Sequence, residues 1–302
     1  MFANAYKIAA KYTFPIHILY RRYDDQCEIL TGSFIVINDE GWIVTAHHII
    51  QAIEGLTASY KEYAALSQEH DAVLDDPQLS AEAKQEWVAA HPFRPDLVTD
   101  MLPLWGGLSA TNDINTGFQL EQIDLAVGLL DSYTPPEGIV YPRFQDPTSS
   151  MDPGTSLCKL GYAPITNTAQ PQFDEQTSSF EFPEGTVMPT LFPLDGILTR
   201  VGSLLNDDEA TSSLPLMFIE TSTPSLKGQS GGPLVDIHGN VWGIQSRTAY
   251  YPLGFIEEST AQQVGGSYLN LGYSIHSATI VSFLRQHNVA FELASPKKSF
   301  FW

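Results

Sequence analysis

The stretch TPSLKGQSGGPLV runs from Thr223 to Val235 and sets Ser230 between glycines. Glycine allows backbone conformations that a residue with a Cβ resists. The amides of Gly228 and Ser230 are therefore predicted to point into one small hollow that can bind a developing oxyanion. A serine hydroxyl beside such a hollow becomes a useful nucleophile when a base takes its proton. A plain Gly-Ser-Gly turn between strands is the alternative interpretation. Other segments of the sequence are needed to distinguish a nucleophile loop from such a turn.

Composition and charge describe a globular chain and exclude some classes of partner. The 302 residues are 43% hydrophobic and 11% aromatic, enough for a sizeable core in one large domain or two fused halves. The formal charge is −20, from 35 acidic and 15 basic residues, which argues against nucleic acid and anionic membranes as partners. A solvated acidic surface is the simpler interpretation of this charge, and affinity for basic or unfolded partners is the other.

Cysteine usage and the N-terminal sequence predict a cytoplasmic location. Cys27 and Cys158 lie far apart without metal-type spacing, so neither a disulfide framework nor a metal site is expected. Lys7, Lys11 and His17 interrupt the first apolar residues, so a signal-peptide core is not expected. No run reaches the roughly 18 apolar residues that a membrane span requires.

Short β-rich runs separated by turns make up most of the chain. In the first half, strands are predicted at residues 14–20, 32–37, 42–45 and 119–130. In the second half, they are predicted at residues 155–162, 196–204, 217–220, 234–237, 241–246 and 272–275. Residues 278–286 have the pattern of a C-terminal helix, and residues 135–138 and 144–154 that of a connection between the halves.

A helical insertion at about 51–117 interrupts this pattern. Residues 51–65 and 80–90 are rich in good helix formers, and Ser80 with Glu82 marks a helix start. A lid, a regulatory element and a decorated surface loop are its three interpretations. If it is a regulatory element, removal of residues 60–115 is expected to change activity while leaving the fold intact, and unchanged activity and melting temperature would indicate decoration.

Two other positions suggest chemistry. His47 and His48 end an apolar strand, where one imidazole can be the base that a serine requires, although a satisfied or exposed histidine is the common alternative. Asp124 heads the apolar run 125–130, and a buried carboxylate needs a partner. A turn aspartate before the strand is the alternative there.

The chain order His48, Asp124, Ser230 resembles that of the trypsin-like (chymotrypsin-fold) serine protease family. VTAHHI at 44–49, DLAV at 124–127 and GQSGGPL at 228–234 are similar to the family's TAAH, D-[IL]-A-[VL] and GxSGGPL motifs. GIQS at 243–246 resembles its substrate-binding strand, and GYSI at 272–275 with the following helix resembles its C-terminal end. The resemblance covers nearly the whole chain except the insertion.

The resemblance implies an all-β fold of two packed antiparallel six-stranded β-barrels, with the helical insertion at about 51–117 and a C-terminal helix. It implies a first barrel in residues 1–145, which carries His48 and Asp124. The second barrel lies in residues 146–302 and carries Ser230.

The resemblance also assigns roles. The family's spacing selects His48 as the base for Ser230, with Asp124 orienting His48. The amides of Gly228 and Ser230 form the oxyanion hole, and Ser246 donates a hydrogen bond to Asp124. This chemistry needs no metal and no organic cofactor.

One departure from the digestive enzymes concerns activation. They carry an Asp just before the nucleophile, whereas this chain has Gln229, so activation by N-terminal cleavage is not expected. An uncharged residue there is similar to the bacterial Do-type (HtrA-like) branch, as are GYAP at 161–164 and GYSI. We expect a regulated intracellular bacterial relative without a PDZ domain.

The expected substrate-binding residues are Pro224, Ser246, Arg247 and Thr248. Trypsin-type enzymes hold an acid at the position of Pro224, so a preference for Lys or Arg at P1 has no anchor. Thr248 replaces a common Gly and narrows the pocket, which predicts a small or aliphatic P1 residue. Arg247 either attracts acidic groups of the substrate or is simply exposed.

The leading functional hypothesis is a serine endopeptidase with a protein or peptide substrate in a stress or defence system. The 51–117 insertion is a candidate binding site for an activating protein partner. A protease-fold binding module and an esterase-type hydrolase are the alternatives.

Overall fold

The computed structural model describes residues 1–106, 108, 114–163, 170–204, 214–253 and 268–295. Its helices are α1 (Ala3–Ala9), α2 (His47–Asp75), α3 (Ala81–Ala90) and α4 (Ser277–Gln286), with a 3-10 helix at Glu121–Ile123. Its strands are β1 (Thr13–Arg22), β2 (Cys27–Val36), β3 (Trp42–Ala46), β4 (Val98–Trp105), β5 (Ile114–Leu120), β6 (Leu125–Leu130), β7 (Arg143–Phe144), β8 (Ser156–Ala163), β9 (Gln172–Asp174), β10 (Ser179–Glu181), β11 (Thr190–Ser203), β12 (Met217–Thr221), β13 (Pro233–Val235), β14 (Val241–Pro252), β15 (Tyr268–His276) and β16 (Glu292–Leu293).

The first half of the chain contributes one antiparallel sheet of six strands, in the order β4-β1-β2-β3-β6-β5. Its β-branched and aromatic residues explain the strands, because Ile16, Phe34 and Ile43 are fully buried on one side of the sheet. Among the described residues no pairing joins β4 to β5, so the predicted first barrel is observed as a sheet that is open between these two strands.

The second half closes into a barrel. Strands β13-β8-β11-β12-β15-β14 pair in that order, every neighbour antiparallel, and β13 also pairs with β14 to complete the ring. Strand β7 joins β14 in parallel, and β16 joins β7. The second sheet therefore already includes Arg143 and Phe144, just before the predicted boundary at 145. The mainly β architecture and the C-terminal helix are confirmed.

The helical insertion is shorter than predicted. Helix α2 starts at His47 and α3 ends at Ala90, but β4 and the start of β5 also lie within 51–117 and belong to the first sheet. The sequence pattern missed β4 because only Val98 and Trp105 are buried and Pro103 interrupts the run, as is common in edge strands. Residues 107, 109–113 and 164, part of the predicted insertion and GYAP segment, lie outside the described residues.

The outer part of the α2–α3 hairpin is held by contacts between rings, whereas the first turns of α2 pack on the buried core of the first sheet through Ile49 and Ile53. Tyr23 at the end of β1 stacks on Phe93, with ring centroids 4.7 Å apart, and Tyr63 of α2 contacts both rings. His70 stacks on Phe93 at 4.5 Å, and its Nε2 hydrogen-bonds the carbonyl of His91 at 2.7 Å. Helix α3 buries none of its residues. The hairpin is thus a thin projection attached to the first sheet.

The two halves share one hydrophobic core. Val44 and Leu125 of the first sheet belong to the same buried cluster as Leu160 and Ile244 of the barrel. The short helix α1, which the sequence pattern did not predict, adds Ala5 to this cluster. No helix in the described part of the chain is long and apolar enough to cross a membrane.

Candidate active site

His48 is the second residue of α2, where β3 turns into the helix. The carboxylate of Asp124 accepts the backbone N–H of His48 at 2.9 Å, so Asp124 caps the start of the helix. The ring of His48 also contacts Asp124, with Nδ1 2.9 Å from Oδ2 and 3.1 Å from Oδ1. An ionised carboxylate only accepts hydrogen bonds, so Nδ1 carries the proton and the Nε2 lone pair is left free.

Asp124 occupies a left-handed backbone conformation, with φ of 64°, between the 3-10 helix and β6. Aspartate tolerates this conformation better than most residues with a Cβ. Burial alone raises the pKa of Asp124, but hydrogen bonds from His48 and Ser246, with the charge of His48, bring that pKa below its ordinary value. The carboxylate is therefore ionised at neutral pH.

Ser246 lies at an irregularity of the β14–β15 ladder, where the register shifts between Gln245 and Arg247. Such bulges redirect a side chain out of the regular alternation. The Ser246 hydroxyl donates to Oδ2 of Asp124 at 2.5 Å, which is the contact predicted for it. Its carbonyl faces the candidate nucleophile.

Ser230 donates its hydroxyl to the carbonyl of Ser246 at 3.0 Å. Both Ser230 and His48 are described, and no hydrogen bond joins Ser230 Oγ to the His48 ring. Ser230 contacts the carbonyl of Ser246, and His48 contacts Asp124, which accepts the Ser246 hydroxyl. Transfer of the serine proton to His48 therefore requires the Ser230 hydroxyl to turn away from the Ser246 carbonyl. Rotation between staggered χ1 wells achieves this.

The turn before Ser230 has the geometry that the glycines predict. Gly228 has φ of 89°, and the N–H of Gln229 donates to the carbonyl of Leu226 at 3.0 Å. The amides of Gly228 and Ser230 have no acceptor among the described residues. They are therefore available to an incoming oxyanion.

Gln229 holds this turn from inside the protein. Its side chain is fully buried, accepts the N–H of Leu226 at 3.0 Å and donates to the carbonyl of Phe192 at 3.1 Å. A neutral amide thus anchors the turn to β11 at the position where the digestive enzymes carry an acid.

Ser33 of β2 connects the first sheet to the same turn. Its hydroxyl donates to the carbonyl of Gly228 and its N–H donates to the carbonyl of Ser230, both at 2.8 Å. Gly231 has φ of 83°, and a Cβ there would overlap the carbonyl oxygen of Ser33. Glycine is required at 231 because the two backbones approach so closely.

The expected substrate-binding residues lie around the same turn. Thr248 accepts the N–H of Ser225 at 3.0 Å and donates to its carbonyl at 2.9 Å, so Thr248 lies directly against the turn. The carbonyl of Pro224 accepts a hydrogen bond from Lys159 at 3.1 Å. Arg247 is exposed, and its guanidinium lies 5.8 Å from the centre of the Tyr273 ring.

Sequence reasoning missed three residues at this site. They are Ser33, Lys159 and the supporting side chain of Gln229. Gln229 was noted only for its lack of charge, and Lys159 sits in an apolar strand (SLCKLGYA), where a lone lysine is a signal that was available. The described residues contain no cluster of three or more metal-ligating side chains.

Comparison with known proteins gives a family. The model of the trypsin-like peptidase domain matches residues 31–244. Two structures of the HtrA-type protease AlgW with a tripeptide are 16% and 17% identical, with TM-scores of 0.49 and 0.47; each covers 96% of this chain. The Rv3671c protease from M. tuberculosis in its active form is 13% identical over 95% of this chain and 86% of its own, with a TM-score of 0.46.

The chain spans 64% and 65% of the two AlgW chains, less than two thirds of their length. No curated protein matches it. The family model covers well over half of the residues, from β2 to β14, and includes His48, Asp124 and Ser230. The chain belongs to the trypsin-like serine protease family.

Proposed function

We propose that the chain is a serine endopeptidase that works through an acyl-enzyme intermediate, with Ser230, His48 and Asp124 as its catalytic residues. The observation that carries the proposal is the pair of contacts from Asp124, to the His48 ring at 2.9 Å and to Ser246 at 2.5 Å, beside a serine whose neighbouring amides are free.

The proposed first step transfers the Ser230 proton to Nε2 of His48 while Oγ attacks the scissile carbonyl carbon. The carbonyl oxygen takes the negative charge, and the amides of Gly228 and Ser230 donate hydrogen bonds to it. His48 then gives the proton to the leaving amine, the C–N bond breaks, and the acyl group stays on Ser230. Asp124 stabilises the imidazolium formed in between.

In the second step, water attacks the acyl carbon while His48 takes a proton from it. The ester bond to Ser230 breaks, and His48 returns the proton to the serine oxygen. The products are a carboxylic acid and the unchanged enzyme. This sequence requires Ser230 to leave the carbonyl of Ser246 and turn to His48.

A second candidate function is a latent enzyme or binding module on the protease fold. The observation that favours it is the Ser230 hydroxyl, which donates to Ser246 and not to His48. An esterase would use the same residues, because an activated serine attacks esters as well as amides.

Two substrates distinguish these candidates. We expect the wild-type protein to cut an unfolded protein such as reduced casein, with new N-termini found by mass spectrometry, while Ser230→Ala makes none. Hydrolysis of an activated ester without any peptide cleavage would favour the esterase. No turnover of either substrate would favour the binding module.

We also propose that the protein is a regulated bacterial enzyme in a stress or defence system, with the α2–α3 hairpin as the binding site of an activating partner. Support comes from the resemblance to the Do-type branch and from the exposed surface of the hairpin, since α3 buries no residue. Helix α2 is one arm of the hairpin, and His48 is its second residue. A partner that binds the hairpin therefore acts on the helix that carries the proposed base.

A cytoplasmic location is part of the same proposal. Cys27 and Cys158 are both free thiols, as is usual in a reducing compartment. Burial raises the pKa of Cys158 to about 11, which keeps that thiol unreactive. Immunoblotting of fractionated host cells tests the location, and recovery in the secreted fraction would contradict it.

A further inference from the structure

Lys159 of β8 is a fully buried lysine that the proposed chemistry does not use. Its Nζ donates to the carbonyl of Thr223, to the Thr223 hydroxyl at 3.2 Å and to the carbonyl of Pro224 at 3.1 Å. All of these acceptors are neutral oxygens. The side-chain nitrogen of Lys159 thus contacts Thr223 and Pro224, in the segment that precedes Ser230.

Lys159 has no counter-ion among the described residues. Burial lowers the pKa of Lys159 to about 7, and no neighbouring carboxylate offsets this effect. A buried charge without a partner is costly, so an anion placed beside Lys159 would stabilise its charged form. The site therefore suits an anion that arrives from outside.

Lys159 contacts Pro224, one of the residues expected to bind the substrate side chain. A Cβ on Gly272 would collide with Lys159 Nζ, so the ammonium lies against the face of Gly272. Gly272 is the cross-strand partner of Thr248, which in turn hydrogen-bonds Ser225. Lys159 is thus surrounded by the segments around Pro224, Thr248 and Gly272.

Ser225, which follows Pro224 in the chain, has a second polar group that the proposed chemistry does not use. Its hydroxyl oxygen is buried and has no hydrogen-bond partner in the described part of the chain. Buried hydroxyls normally find a partner, so this one is available to a polar group of a ligand. A cation and a free hydroxyl together match the oxygens of a carboxylate.

We propose that this pocket selects an acidic residue at P1, so that the enzyme cleaves after Glu or Asp, with Lys159 as the specificity-determining residue. The carboxylate replaces one of the neutral acceptors of Lys159 and accepts a hydrogen bond from Ser225. This inference rests on the proposed protease function, and it replaces the small or aliphatic P1 expected from Thr248. Thr248 narrows the pocket, which suits an unbranched side chain.

The overall charge of the protein does not favour acidic substrates. At −20, the protein as a whole repels acidic peptides. A preference for acidic P1 residues therefore has to come from local groups in the pocket. Because the contact is buried, it is expected to survive in salt that screens surface charges.

Competition for Ser230 tests the inference without a known substrate. Tetrapeptide aldehydes that differ only at P1 (Glu, Gln, Asp, Asn, Val or Lys) are allowed to protect the purified protein from a fluorophosphonate probe. We expect Glu or Asp to protect at concentrations about 10-fold or more below those of Gln or Asn, since hydrogen bonds to charged groups are the stronger ones. Equal protection by the amides, better protection by Val or Lys, or no protection by any aldehyde overturns the inference.

The variant Lys159→Met keeps the length of the side chain and removes its charge. We expect it to lose the difference between Glu and Gln while Ser230 is still labelled. Lys84→Met is the matched control, because Lys84 also donates to a backbone carbonyl, that of Leu74 at 2.6 Å, but on the exposed hairpin. A Glu preference that persists in Lys159→Met contradicts the role given to Lys159.

The wild-type competition alone decides the matter if Lys159→Met does not fold. Failure of the inference and failure of the proposed function give different results. Labelling of Ser230 without a preference for acidic P1 residues contradicts only the proposed specificity. If Ser230 is never labelled, both the proposed specificity and the proposed protease function are contradicted.

Discussion

At the residue scale, Ser246 performs two tasks with two different atoms. Its hydroxyl donates to Asp124, and its carbonyl accepts the hydroxyl of Ser230. The first contact helps to keep the carboxylate ionised, and the second holds the nucleophile away from His48. The two tasks can be separated by mutation, because only the first uses the side chain.

Ser246→Ala is expected to slow labelling of Ser230 roughly 10-fold at neutral pH, since Asp124 loses one hydrogen bond to its charged form. The pKa of Asp124, lowered in the native protein, rises in the variant. The activity that depends on the ionised carboxylate is then lost at a higher pH as the solution is acidified.

A pH profile of the labelling rate measures both effects. Ser274→Ala is the control, because the Ser274 hydroxyl is also buried in the neighbouring strand but has no partner among the described residues. A profile of Ser246→Ala that matches that of the control would refute the role of the Ser246 side chain.

At the element scale, the turn from Leu226 to Ser230 depends on β11. Gln229 Oε1 accepts the N–H of Leu226, and Gln229 Nε2 fastens the turn to the carbonyl of Phe192. Only a side chain that accepts at one end and donates at the other satisfies both contacts. A neutral amide does this without any charged partner.

For Gln229→Glu we therefore expect the activity, relative to wild type, to increase as the pH falls. The protonated acid can still donate to Phe192, whereas the carboxylate faces that carbonyl as a second acceptor. Burial raises the pKa of a carboxyl group at this position, so the variant should gain activity relative to wild type as the pH falls from about 8 to about 6.

The ratio of labelling rates, variant to wild type, measures this dependence. Gln172→Glu, an exposed position in β9, is the matched control and should give a flat ratio. A flat ratio for Gln229→Glu as well would show that the turn does not rely on this hydrogen bond.

The strands that build the site could be predicted, and the supporting contacts could not. Strand β3 ends just before the two histidines, which begin α2, and β6 begins after Asp124; both strands have a plain apolar pattern. Strand β4 escaped notice because its pairing with β1 leaves most of its side chains half-exposed. Ser33 and Lys159 act through tertiary contacts with residues more than 60 positions away, which local pattern does not reveal.

At the scale of the whole molecule, the described residues form a closed barrel, an open sheet and a thin helical hairpin. The barrel and the sheet meet in one core and share the site, so neither half is expected to be active alone. The hairpin contributes little to that core, because α2 buries only His47, Ile49 and His70.

Removal of the hairpin tip should therefore leave the fold and the basal activity intact. We expect a variant with residues 64–91 replaced by a Gly-Ser linker to be labelled at Ser230 at the wild-type rate. Host lysate should stimulate labelling of the wild type only, if an activating partner binds the hairpin. Equal stimulation of both proteins would exclude the hairpin as the binding site.

A deletion of residues 60–115 is a different experiment. It removes β4 and the start of β5, so the sheet loses pairings with β1 and β6. For that reason we now expect the 60–115 deletion to disrupt the first sheet, in contrast to the expectation from the sequence. Thermal unfolding of the two deletion variants should show a cooperative transition for the short deletion only.

The most direct test of the account is the reaction of the purified protein with a fluorophosphonate, followed by mass spectrometry to locate the adduct. We predict an adduct on Ser230, slowed about 1,000-fold or more by His48→Ala and absent in Ser230→Ala. Ser222→Ala, in the same loop, should react like the wild type. An adduct elsewhere, or labelling of Ser230 that does not depend on His48, would contradict the assignment of these residues as the catalytic serine and its base.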